Sequence, residues 1–215
     1  MLRASLSGLR YKDPVSRYDE RTALLVVDVQ NDFADPNGSL YVRGGEEVVP
    51  VVNREVAAAL EAGALVVYTQ DWHPESTPHF QKDGGIWPSH CVAETWGAEL
   101  HPELEVEGGA IRKGAGGEDG YSGFSVRDPR TGRTGATGLE QLLRGRGVER
   151  VVIAGLATDY CVKATALDAD ALGFATEVLT EAIRAVDMRP GDGERAIEEM
   201  RAAGTSIDGR LSEPD

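Results

Sequence analysis

No run of apolar residues in this chain approaches the roughly 20 that a membrane-spanning helix requires. The opening twenty residues, MLRASLSGLRYKDPVSRYDE, lack the apolar stretch of a secretion signal, so a cytoplasmic location is expected. Basic residues are in deficit: 22 Lys and Arg face 36 Asp and Glu, a net charge of -14. With a pI near 4.7, the chain is not drawn electrostatically to DNA, RNA or anionic lipid. Neither nucleic acid nor membrane is therefore expected as a partner. Only two cysteines are present, Cys91 and Cys161, and without a secretion signal they are expected as reduced thiols. Internal repeats and low-complexity tracts are absent.

What remains is a soluble globular composition, 41% apolar and 27% charged, over 215 residues. That length suits a single domain with a full core. Residues 1–20 and 209–215 read as loosely packed extensions flanking a domain at 21–208. Within it, TALLVVDV (22–29), ALVVYT (64–69) and RVVIAG (150–155) are continuous apolar runs of buried-strand length. ATEVLT (175–180), AIRK (110–113) and TSI (205–207) are weaker strand candidates. Between them lie four amphipathic stretches, 46–63, 137–147, 159–173 and 192–204, each ending at a glycine as helices commonly do. Pro50 suggests the first turn of the first helix. Thr137 and Glu140 have the spacing of a capping box. This alternation predicts an α/β fold: a three-layer, doubly wound sheet of parallel strands with helices on both faces. The exception is 72–109, a long connection rich in His, Trp and Pro, as functional loops often are.

The unusual polar residues gather at the strand ends. Asp28 ends the first strand, Asp71 the second and Lys113 the third, while Cys161 follows the fourth. In an open α/β sheet these positions share the carboxyl edge, where ligand sites form. Each has an ordinary explanation as well. A lone cysteine is more often a small buried hydrophobe, an aspartate can close a turn, and a lysine can be a solvated charge. Together they supply nucleophile, base and cation. Cys161 falls in the first turn of a helix, where free N–H groups favour a thiolate. His101, followed by Pro102, has no evident acidic partner, so Asp28 is the better base.

The stretch DWHPESTPH (71–79) brings Asp71, His73 and His79 together. Asp71 and His73 are two apart and point to one face of an extended backbone, which Pro74 favours. His90, in WPSHC, completes one carboxylate and three imidazoles, a set suited to one divalent ion: Zn, Fe or Mn. Cys91 beside it faces the other way in extended chain and reads as packing.

The segments LLVVDVQNDF, GSLYVRGG, DWHPESTPHF, WPSHC, RKG, YSGF and GLATDYCVKATALDA, in this order, resemble the nicotinamidase/pyrazinamidase family of isochorismatase-like cysteine hydrolases. The resemblance runs from about residue 22 to 207. It implies six parallel strands, with the first and fourth adjacent and Asp28 therefore beside Cys161. It also implies hydrolysis of nicotinamide to nicotinate and ammonia, with pyrazinamide as a further substrate. Asp28, Lys113 and Cys161 become the catalytic residues, and the N–H groups of Ala157 and Cys161 the oxyanion donors, with a cis peptide at Leu156–Ala157. Phe33, Trp87 and Tyr121 become contacts for the small-molecule substrate. The chain departs from the family in a longer glycine-rich segment after Lys113, GAGGEDGYSGF, and in Tyr160, where many members have histidine. Two other readings remain open from the residues alone: a hydrolase whose nucleophile is metal-bound water, and a non-catalytic small-molecule binder. Another small-amide hydrolase of the superfamily and a homo-oligomeric assembly are also left open.

Overall fold

The computed structural model describes residues 17–208. In chain order the elements are β1 (Thr22–Val27), α1 (Asn31–Ala34), α2 (Val48–Glu61), β2 (Leu65–Asp71) and β3 (Ala110–Lys113). There follow β4 (Ser125–Arg127), β5 (Thr134–Ala136), α3 (Leu139–Gly145), β6 (Arg150–Leu156), α4 (Lys163–Ala171), β7 (Ala175–Arg184), α5 (Asp192–Ala203) and β8 (Ser206–Ile207). Six strands form one sheet in the order β3-β2-β1-β6-β7-β8, and every neighbouring pair is parallel.

Side-chain alternation along β1 divides the core in two. Leu24 and Val26 pack with Val52 and Val56 of α2, while Ala23, Leu25 and Val27 pack with Leu139, Ala166 and Met200 of α3, α4 and α5. Both faces of the central strands are thus buried, which is why they read as unbroken apolar runs. β1 lies between β2 and β6, so the chain leaves its carboxyl end towards opposite sides of the sheet. The crevice opened there is the one that binds ligands in such folds.

Two expectations need correction, and one element is new. Residues 17–20 are not a loose extension. Tyr18 is 4% exposed, its hydroxyl donates to Glu55 Oε2 at 2.7 Å, and Arg17 bridges Glu55 and Glu177. Its aromatic ring has joined the α2 side of the core. The remainder of the expected extensions, 1–16 and 209–215, lies outside the described residues. The capping box does not form, because Gly138 takes a φ of 95° immediately before α3. The Thr137 hydroxyl therefore accepts from Leu139 N–H at 3.2 Å and donates to Gly123 O at 2.6 Å. The small antiparallel pair β4 and β5, outside the main sheet, was not anticipated: its strands are three residues long with little burial, too short for a periodic signal. Pro50 does fall in the first turn of α2. Among the described residues no helix is long and apolar enough to cross a membrane.

Candidate active site

Parallel registration delivers Asp28, Asp71, Lys113 and Cys161 to one edge. Asp71 and Lys113 are direct cross-strand partners at the ends of β2 and β3. Asp28 follows β1 at a φ of 48°, held by Thr69, whose hydroxyl donates to Asp28 Oδ1 at 2.6 Å and accepts the Asp28 N–H at 3.2 Å. The Lys113 ammonium, fully buried, lies 2.6 Å from Asp28 Oδ2 and 3.2 Å from Asp71 Oδ1, and donates to Gly120 O at 2.6 Å. A buried charge is tolerated only when paired and hydrogen-bonded in this way.

Cys161 follows β6 after a cis peptide at Leu156–Ala157, as the resemblance implied. It stands in a π-helical turn, Thr158–Val162, rather than in the first turn of an α-helix; the Val162 N–H reaches back to Ala157 O at 3.1 Å. Such turns concentrate at functional sites. Its sulfur and one oxygen each of Asp28 and Asp71 lie within 4.8 Å of one another.

These contacts set the protonation. Burial raises Asp28 above the usual carboxylate range, although Lys113 opposes the shift. Burial pulls Lys113 down, but Asp28 and Asp71 outweigh it and hold the ammonium well above its ordinary value. Burial pushes the Cys161 thiol well up, with Lys113 opposing and both aspartates reinforcing. At Cys161 desolvation therefore opposes the thiolate that a helix start would favour, and Asp28 is the carboxylate placed to take the thiol proton.

The second cluster forms because the long connection folds back along the end of β2. His73 N–H donates to Cys91 O at 3.0 Å and Ala93 N–H to His73 O at 2.8 Å, which lays the 90–93 segment beside His73. A bridge between Phe80 and Trp87 closes the turn bearing His79. One nitrogen each of His73, His79 and His90 lies within 4.8 Å of the others, and Asp71 Oδ2 is 3.8 Å from Nε2 of both His73 and His90. His90 Nδ1 is 2.8 Å from Pro88 O and His79 Nδ1 is 2.8 Å from Asp119 Oδ1, leaving each Nε2 for the centre. His73 is fully buried, yet neither of its ring nitrogens has a hydrogen-bond partner. An orphan of this kind, among two imidazoles and a carboxylate, fits a divalent metal site. Gly114 is obligatory here: with φ at +76°, a Cβ would fall 2.6 Å from His73 Cε1. Cys91 is packing, as read; its N–H donates to Asp32 Oδ2 and its sulfur lies 3.8 Å from Gly97 O.

Both clusters face one pocket, which takes in about 340 Å³ counting its open mouth. Phe33, Trp87 and Tyr121 line it, with Asp71, His79, His90, Ala157 and Cys161. Trp87 Nε1–H donates to the Tyr121 hydroxyl at 2.8 Å, and burial pushes that phenol up to about 12. Sequence reasoning missed Leu40, Val186, Thr69 and Asp119, and gave Tyr160 no role. Tyr160 packs edge-on against Trp87 at 4.8 Å and walls the pocket. Its place beside Cys161 was the available signal; nothing local marked Asp119 among the glycines.

The isochorismatase-domain family profile matches residues 22–208. The nicotinamidase of Escherichia coli (strain K12) is 38% identical over 202 residues, covering 86% of this chain and 93% of that protein. The pyrazinamidase of Pyrococcus horikoshii, solved in complex with zinc, is 43% identical with a TM-score of 0.76, covering 87% of this chain and 98% of that one. The PnC1 protein from L. infantum, solved in complex with nicotinate, is 36% identical with a TM-score of 0.78, covering 88% and 93%.

Proposed function

The chain belongs to the isochorismatase family, and we propose that within it this protein is a nicotinamidase, converting nicotinamide to nicotinate and ammonia and also accepting pyrazinamide. The observation that carries this reading is a single pocket lined by Cys161 and by Asp71, His79 and His90, with Lys113 paired to Asp28 and to Asp71 behind it and His73 completing the imidazole group. Nicotinamidases align over most of the chain, and a structural neighbour holds nicotinate. The functional unit of this reading is the domain at 21–208, with Arg17 and Tyr18 packed onto it.

Asp71, His73, His79 and His90 would hold one divalent ion. When bound, that ion supplies an electron-pair acceptor for the pyridine nitrogen of the substrate. Phe33, Trp87 and Tyr121 flank the ring, so the carboxamide is presented to Cys161. Asp28 takes the thiol proton, and the Lys113 ammonium balances the negative charge as it moves from oxygen to sulfur. The sulfur then bonds to the carboxamide carbon. The oxyanion so formed accepts from the N–H groups of Ala157 and Cys161, each such donor being worth about 3 kcal/mol. Asp28 returns its proton to the departing nitrogen, ammonia leaves, and a thioester remains. Asp28 next deprotonates a water that attacks the thioester carbon. Nicotinate departs and the sulfur regains its proton.

Both cysteines are free thiols, which supports placement in the reducing cytoplasm. The test is direct: purified, metal-analysed protein is assayed for ammonia and nicotinate from nicotinamide. Turnover with equal yields of both supports the proposal; no turnover at one metal per chain removes it.

A further inference from the structure

We propose that Asp119 is a positioning residue for His79, fixing its ring so that Nε2 serves the metal, and that the glycine-rich segment after Lys113 exists to hold it there. The inference rests on the metal-dependent reading above.

Three imidazoles face the centre, and their outer nitrogens differ. His90 Nδ1 meets a backbone carbonyl, that of Pro88. Neither nitrogen of His73 has a partner, and its ring is confined by Gly114 and the Phe80 ring. His79 alone is braced by a side chain, Asp119 Oδ1 at 2.8 Å from Nδ1. A carboxylate there keeps the proton on Nδ1, leaves the Nε2 lone pair free, stops the ring rotating and makes it a stronger donor. Among the described residues Asp119 pairs with no lysine or arginine, so its charge is directed at the histidine.

The backbone shows how the carboxylate is kept in place. Asp119 and Arg127 exchange main-chain hydrogen bonds at 2.8 and 2.9 Å, pinning the residue to β4 whatever its side chain. The Thr77 hydroxyl donates to Gly117 O at 2.9 Å, tying the segment to the loop that carries His79. Gly114 and Gly117 take φ values of +76° and +90°, which the reversal needs and which side chains resist. A Cβ on Gly120 would fall 2.8 Å from Lys113 Cβ, and Gly120 O accepts the Lys113 ammonium. One short segment therefore braces both clusters. This gives the sequence's longer glycine-rich stretch a physical role.

The test measures zinc affinity by chelator competition on metal-stripped, full-length protein, for wild type, Asp119→Ala, Asp119→Asn and Glu118→Gln. Loss of such an outer partner typically weakens metal binding about 10–100-fold. We expect that loss for Asp119→Ala, a smaller one for Asp119→Asn, whose amide oxygen can still accept, and no change for Glu118→Gln. Nitrogen-15 histidine spectra of the metal-free proteins should give His79 as the Nδ1–H tautomer in wild type and as a mixture in Asp119→Ala. Zinc affinity within twofold of wild type in the aspartate variants would overturn the inference while leaving the metal site intact. If Asp119→Ala does not fold, Asp119→Asn decides by the same criterion. Wild type that binds no zinc would instead overturn the metal-dependent reading, and this inference with it.

Discussion

The Lys113 ammonium lies 3.2 Å from Asp71 Oδ1, so one buried cation joins the proposed metal-binding quartet to the proposed base, Asp28, 2.6 Å on its other side. Removing it leaves two buried carboxylates facing each other without compensation. Breaking a buried pair in this way typically costs about 3–5 kcal/mol. Lys113→Ala should therefore lower the unfolding free energy in urea by about that much, as well as slowing turnover. A variant as stable as wild type would mean that the charges are not coupled as the distances imply.

Asp28→Asn keeps the shape of the base and removes its capacity to take a proton. The neighbouring thiol is pushed up by burial, so without a base the sulfur stays protonated. Turnover of nicotinamide should fall about 100-fold or more, in the range of general-base losses, with zinc content unchanged. Wild-type rates in this variant would place the base elsewhere.

The quartet should behave as a unit, because its four side chains converge on one centre. Alanine at Asp71, His73, His79 or His90 should each cost the bound metal, read by elemental analysis of the purified variant. Chelation should inactivate the wild type, and added metal should restore it. Full activity in protein free of transition metal would remove the ion from the account.

Much of this was legible in the sequence for a physical reason. Parallel strands buried on both faces must be continuous apolar runs, and their carboxyl ends must share an edge, so the locations of Asp28, Asp71 and Cys161 followed from three short segments, whereas the edge strand that carries Lys113 is largely exposed and gave a weaker signal. The adjacency of β1 and β6, which sets Asp28 beside Cys161, required the resemblance, because strand order is not written in periodicity. Asp119 and Thr69 were invisible because their roles depend on contacts 40 and 41 residues away in sequence. The burial that opposes a Cys161 thiolate was out of reach for a related reason. A helix start can be recognised from sequence, but the extent of burial and the number of facing carboxylates come only from packing.

Substrate choice tests what the metal does. If an electron-pair acceptor reads the ring nitrogen, benzamide keeps the ring and carboxamide but leaves that acceptor unsatisfied. Sites built around a polar substrate group reject analogues lacking it by up to about 10,000-fold, whereas apolar pockets discriminate by about 10–200-fold. The kcat/KM for benzamide should be about 100-fold or more below that for nicotinamide, while pyrazinamide remains a substrate. Equal values for benzamide and nicotinamide would show that the nitrogen is not read.

The central claim is that the sulfur of Cys161 forms the bond to the substrate carbon. Ammonia release from nicotinamide by Cys161→Ala, measured alongside zinc content, tests it most directly. The account predicts no detectable turnover with the metal retained at the wild-type level, because the quartet takes no ligand from Cys161. Substantial turnover by the metal-loaded variant would contradict it and make an activated water the nucleophile.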